Sequence, residues 1–70
     1  MKIGIATQDE SRERTLAIAR GEYKPRADEP KYWFHSVTAA EDAIASGRVQ
    51  VQVDDAVDYV DLNGQVIPKP

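Results

Sequence analysis

The stretch from Arg48 to Ile67, RVQVQVDDAVDYVDLNGQVI, decides how the chain is expected to fold. Val49, Val51 and Val53 alternate with Gln50 and Gln52, the period of a strand with one buried and one wet face. Asp54 and Asp55 mark a turn, and Val57 to Leu62 reads as a second strand. Asn63-Gly64 is the strongest two-residue hairpin signal, because a type I′ turn needs positive φ at both central positions. Val66 and Ile67 then form a short third strand, and Pro68 and Pro70 stop further pairing and shield its edge. The expectation is a three-stranded antiparallel β-meander.

Toward the N-terminus the pattern turns helical. Thr7 and Glu10 stand at capping-box spacing, so a helix is expected from Gln8 to Arg20, with Gly21 supplying the left-handed residue that ends it. Its apolar residues, Leu16 to Ala19, follow a polar stretch from Gln8 to Thr15, so the first two turns are expected to bury little. Pro25 and Pro30, among charged residues, predict an extended loop leading into Tyr32, Trp33 and Phe34, a short aromatic strand or anchor. Thr38 and Glu41 give a second capping signal for a helix through Ser46, stopped by Gly47, with Ala40, Ala43 and Ile44 on one face. Together these predict a single two-layer α+β domain over 1–70, helical and proline-rich over 1–47 and a β-meander over 48–70.

Seventy residues bury only about 60% of the surface the unfolded chain exposes, so stability is marginal and a partner or a second copy is expected. Without cysteine there is no disulfide or thiolate metal site. No apolar run approaches the roughly 20 residues of a membrane span, and the N-terminus turns polar at Thr7, too early for a signal peptide. The sequence therefore reads as cytoplasmic, with no membrane partner. Charge divides unevenly: residues 1–35 carry seven cations against six acids, whereas 36–70 carry Arg48 and Lys69 against Glu41, Asp42, Asp54, Asp55, Asp58 and Asp61. An acidic half disfavours phosphate contact, so a nucleic-acid surface, if there is one, belongs to the first half.

No catalytic constellation is legible. His35, the sole histidine, has Ser36 beside it, but neighbours in a strand point to opposite faces and no third group orients them. The glycines at 4, 21, 47 and 64 are too scattered for a phosphate loop, and the aspartates at 54, 55 and 58 lack the ligand spacing of a calcium loop. A non-enzymatic protein with no cofactor and no metal is expected. The candidate partner-binding residues are Arg12, Arg14, Arg20, Tyr23, Lys24, Arg26 and Trp33, basic and aromatic groups around the first helix and the proline loop. Interleaved acids make a solvated helix face the plainer reading of those cations. The alternative surface is acidic, made of Asp54, Asp55, Asp58 and Asp61, which would mimic phosphates in a nucleic-acid-binding groove.

The runs MKIGIAT at 1–7, RTLAIARGEYKP at 14–25 and DEPKYWFHS at 28–36 resemble the N-terminal region of small prokaryotic predicted transcriptional regulators, several of which look like antitoxins encoded beside a toxin. The resemblance covers residues 1 to about 40 and rests on Ala17, Ile18, Ala19, Gly21, Glu22, Pro25, Glu29, Pro30, Lys31, Trp33 and Phe34. In that family a MarR-like winged helix follows; here the acidic, valine-rich segment stands in its place, too short for such a domain. The resemblance implies an antitoxin-like regulator that binds a partner protein, a toxin or a nucleic-acid-processing complex, and forms a homodimer. Two alternatives stand beside it: an anti-CRISPR-like inhibitor from a phage or mobile element acting as an acidic nucleic-acid mimic, and a small DNA-binding transcriptional regulator.

Overall fold

The structure, a computed structural model, describes residues 1–68. Its elements run β1 (Lys2–Ile5), α1 (Gln8–Ala19), β2 (Trp33–Phe34), α2 (Val37–Ala45) and β3 (Asp58–Val60). The sheet has the order β2-β1-β3, and both pairings are parallel. The antiparallel meander predicted for residues 48–70 is therefore wrong, and so is the division of the chain into a helical part followed by a β part.

The central strand is β1, which the sequence reading left unassigned. It places Gly4 between Trp33 and Val60 in one row of the sheet, with Ile3 beside Tyr59 and Ile5 beside Phe34 in the adjacent rows. Side chains alternate across a strand. Gly4, Trp33 and Val60 therefore share one face, while Ile3, Tyr59, Ile5 and Phe34 share the other. Ile3 and Tyr59 join Ala40, Ala43 and Val49 in the buried core, so α2 covers that face. The Arg14 guanidinium stands over the Trp33 ring, so α1 covers the opposite one. The chain crosses from β1 to β2 through α1 and then returns past β1 to β3 through α2, and two crossovers of the usual right hand running in opposite directions put their helices on opposite faces. The result has a helix on each side of a parallel sheet and corrects the two-layer α+β expectation to a small mixed α/β domain.

Both helix ends follow from local chemistry. At α1 the Thr7 Oγ1 accepts from the Glu10 backbone N–H at 3.2 Å, and its hydroxyl donates to the Glu10 carboxylate at 2.9 Å. At its other end Gly21 adopts φ 73°, with its N–H bonded to Ile18 O and that of Glu22 to Ala17 O, a Schellman closure. The second helix is capped by Ser36 and not by the predicted Thr38, because Ser36 is extended and its Oγ accepts from Ala39 N at 3.0 Å. Within α1 the buried residue is Ser11, in the half expected to bury little, and its hydroxyl donates to Phe34 O at 2.8 Å. Leu16, from the half expected to pack, is 40% exposed. On this face the deeply buried apolar side chains, Trp33 and Val60, come from the sheet, and α1 docks on them with a polar contact.

The valine-rich segment forms no strand. Its first residues end α2 instead, with Arg48 N and Val49 N both bonded to Ala43 O. Beyond β3 the chain turns back, and Val66 makes an isolated antiparallel bridge to Val60. The turn is not type I′: only Gly64 has positive φ, at 81°. Asp61 organises it by accepting from Asn63 N and Gln65 N on one carboxylate oxygen, at 2.8 and 2.9 Å, while Gly64 N donates to Asp61 O. One carboxylate thus replaces the second left-handed residue that the predicted turn needed. Pro70, expected to stop pairing, lies outside the described residues.

Candidate functional site

The α1 face of the sheet carries the candidate site. Arg14 lies in the middle of α1, Tyr23 follows the helix after its Schellman turn, and Trp33 is on β2. The β1–α1–β2 crossover brings all three together. The Arg14 Cζ lies 5.2 Å from the Tyr23 ring centroid and 5.0 Å from that of Trp33, so one guanidinium is stacked against two aromatic rings. Gly4 makes room for this stack, since its missing Cβ leaves the space that the indole fills.

Around the stack is a cleft of ≈ 340 Å³ lined by Lys2, Arg14, Tyr23, Glu29, Trp33 and Asp61, among others. Two of its acids, Glu29 and Asp61, already have partners, while the third, Asp28, is exposed and forms no ion pair among the described residues. Glu29 accepts from the Tyr23 hydroxyl and pairs with Arg26 Nε at 3.4 Å, and Asp61 is engaged with its turn. The Glu29 hydrogen bond, reinforced by desolvation and by the Glu29 charge, raises the Tyr23 pKa above the ordinary tyrosine value against the opposing pull of Arg14. The cations are not so engaged: among the described residues neither Lys2 nor Arg14 forms an ion pair, and the buried Trp33 Nε1 has no acceptor. A guanidinium carries planar N–H donors that can receive a carboxylate in two parallel hydrogen bonds.

Of the predicted partner-binding residues, Arg14, Tyr23 and Trp33 come together. Arg26 reaches the same neighbourhood through Glu29 but is itself exposed. Arg12 is exposed beside a second groove of ≈ 300 Å³, which Leu16, Trp33, Phe34 and His35 also line. Arg20 is the exposed C-cap of α1, and Lys24 is an exposed loop residue. In the acidic alternative, Asp54 and Asp55 lie on an exposed turn and Asp58 is exposed at the start of β3, opposite Lys2 in the register. Asp61 is half-buried and its carboxylate is committed to the turn.

The sequence reading missed Lys2 and Leu62. Lys2 reaches the cleft because β1 is the central strand, and no local pattern announces that. Leu62 is 41% exposed and borders both the cleft and an adjoining groove beside α1. His35 is exposed, and the Ser36 hydroxyl is occupied in capping α2. Among the described residues no group of three His, Cys, Asp or Glu could hold a metal ion, and no helix is long and apolar enough to cross a membrane. No protein-family model, curated protein or solved structure matches the chain.

Proposed function

We propose that the chain is a non-enzymatic, antitoxin-like regulator that works by binding a partner protein on the α1 face, with Arg14 receiving an acidic side chain of that partner. The observation that carries this reading is the Arg14 guanidinium, in no ion pair among the described residues, held against Tyr23 and Trp33 in a cleft where Glu29 and Asp61 are engaged and Asp28 stands exposed at the rim. Exposed Leu62 borders it and supplies apolar contact, and exposed Leu16 lines a second groove that shares Trp33 with the cleft. Arginine and large aromatic residues are the types enriched at binding hot spots. The family resemblance of residues 1 to about 40 favours a toxin as that partner over a nucleic-acid-processing complex.

The test is a pull-down of the tagged protein from its native cells, with nuclease treatment and mass spectrometry of what is retained. A stoichiometric protein is expected, and Arg14→Gln should weaken its binding by about 30-fold or more, the effect of truncating a hot-spot residue. Reversing Asp54, Asp55 and Asp58 to lysine should leave binding intact. Loss of binding there, with Arg14→Gln harmless, would move the function to the acidic surface and make phosphate mimicry the better account. Recovery of nucleic acid alone, with affinity falling steeply as salt rises, would mark a DNA-binding regulator instead.

A further inference from the structure

We propose that the segment Arg48 to Asp54 is a self-association edge, through which two copies of this chain pair as antiparallel β-strands. The segment has the period-two pattern of a strand, yet the fold gives it no strand to pair with. No backbone N–H from Gln50 to Val53 has a backbone acceptor among the described residues. Val49 is buried and Val51 is half-buried against the core, while Val53, in phase with them, is 101% exposed. Beside this segment runs an open groove of ≈ 590 Å³ lined by Ile44, Gly47, Val49, Gln50, Val51 and Gln52. An unpaired row of amides next to a fully exposed β-branched side chain is a template for another strand.

Charge selects both the occupant and its direction. The segment begins with Arg48 and ends with Asp54, so its two ends are oppositely charged. In an antiparallel pair centred on Val51, Val49 stands opposite Val53 and Gln50 opposite Gln52. Arg48 of each copy then meets Asp54 of the other. A parallel pair would set arginine against arginine and aspartate against aspartate, which is unfavourable for directly opposed residues. The antiparallel arrangement is a two-fold, self-complementary contact, the commonest symmetry of soluble oligomers. Within the monomer, the backbone contact that closes the Gln52–Asp55 turn is the bond from Asp55 N to Gln52 O, so the end of the segment straightens with little loss. The groove shares no lining residue with the Arg14 cleft, and the self-association stands independently of the proposed partner binding.

Sedimentation velocity across a concentration series, with amide hydrogen exchange at its two ends, tests the pairing. The expected result is a monomer–dimer equilibrium weakened by salt, with the amides of residues 50–53 gaining protection as dimer forms. Val53→Lys, at a position with no contacts to lose on folding, should reduce association at least tenfold. Arg48→Asp alone and Asp54→Arg alone should each give monomers, and mixing the two should restore a heterodimer, because each altered end then meets its complement. A chain that stays monomeric at millimolar concentration would overturn the proposal. So would a dimer whose 50–53 amides exchange freely, a mixed sample with no recovered association, or protection of those amides only when a different protein is added.

Discussion

Replacing Gly4 by alanine separates the logic of this sheet from ordinary glycine rules. The residue is not among the glycines with positive φ, so its backbone conformation is open to alanine. On that ground alone the substitution would stabilise by about 0.4–1 kcal/mol, through the reduced freedom of the unfolded chain. The structure predicts the opposite. A Cβ built there would lie 2.3 Å from Trp33 Cε3, 2.4 Å from Cδ2 and 2.5 Å from Cζ3, where carbon atoms settle at about 3.5–4.0 Å. The indole must therefore retreat by more than about 1 Å, although it is only 6% exposed and has the Arg14 guanidinium over its ring. Overpacking of this kind costs about 1–3 kcal/mol, and a rigid bicyclic ring belongs near the upper end, leaving a net loss of about 2 kcal/mol. At about 0.05–0.15 kcal/mol per residue the whole domain holds only about 3.5–10 kcal/mol, so the fraction lost is large. Urea unfolding followed by far-UV circular dichroism should show a midpoint lower by about 2 M, for a slope near 1 kcal/mol/M. In a Trp33→Leu background the same substitution should cost less than about 0.5 kcal/mol, since the clashing ring is gone. A midpoint that stays or rises with Trp33 in place would refute the reasoning, and an equal loss in both backgrounds would place the strain elsewhere.

Capping makes a second comparison. Ser36→Ala should destabilise by about 1 kcal/mol, because the Ala39 N–H loses its acceptor, whereas Thr38→Ala, at an exposed position inside α2, should stay within about 0.5 kcal/mol. Thermal melts of the two variants distinguish the observed cap from the one predicted by spacing. Burial, with a smaller contribution from the Glu41 charge, raises the Tyr59 pKa above the ordinary value of 10.0. The fold favours neutral Tyr59, so this contribution is fully present below the unfolded pKa and is lost as pH rises through the folded one, where the unfolded chain binds fewer protons. Melting temperature should therefore fall as pH climbs past 10.0, and Tyr59→Phe should flatten that decline without abolishing it, because Tyr23 is raised as well. An unchanged slope in Tyr59→Phe would remove Tyr59 from the account.

Local signals located the helices but not the sheet. Thr7, Gly21 and Gly47 were legible because a cap or a stop is settled within a few residues of chain. Partner choice in a sheet is not settled locally. Val49, Val51 and Val53 announce which way their side chains prefer to face, and nothing in them says that Arg48 and Val49 are needed to close α2. Asn63-Gly64 announces a reversal, and the chain does reverse there, but Asp61 supplies the hydrogen bonds that set a different turn. The central strand was the least visible element. Lys2–Ile5 is four residues long, its partners lie far along the chain, and parallel pairing has no turn signature. The site inherits the same limit: Arg14, Tyr23 and Trp33 were picked by residue type, but their meeting at one cleft depends on the β1–α1–β2 crossover.

The two faces of the sheet are packed differently. Ile3, Ala40, Ala43, Val49 and Tyr59 form the core cluster, and all belong to the α2 side. On the other side, α1 is held to the sheet by a serine hydroxyl on a β2 carbonyl and by a guanidinium on an indole, with Leu16 left half in water. That side also buries Trp33 and Val60, which belong to the sheet, and substitutions on the outer, exposed positions of α1 cost the fold little. Arg14 is the exception, since it serves both the docking of α1 and the cleft. Partner binding at that residue would therefore tighten α1 against the sheet. A marginal domain of this size would then gain stability through the contact by which it recognises its partner.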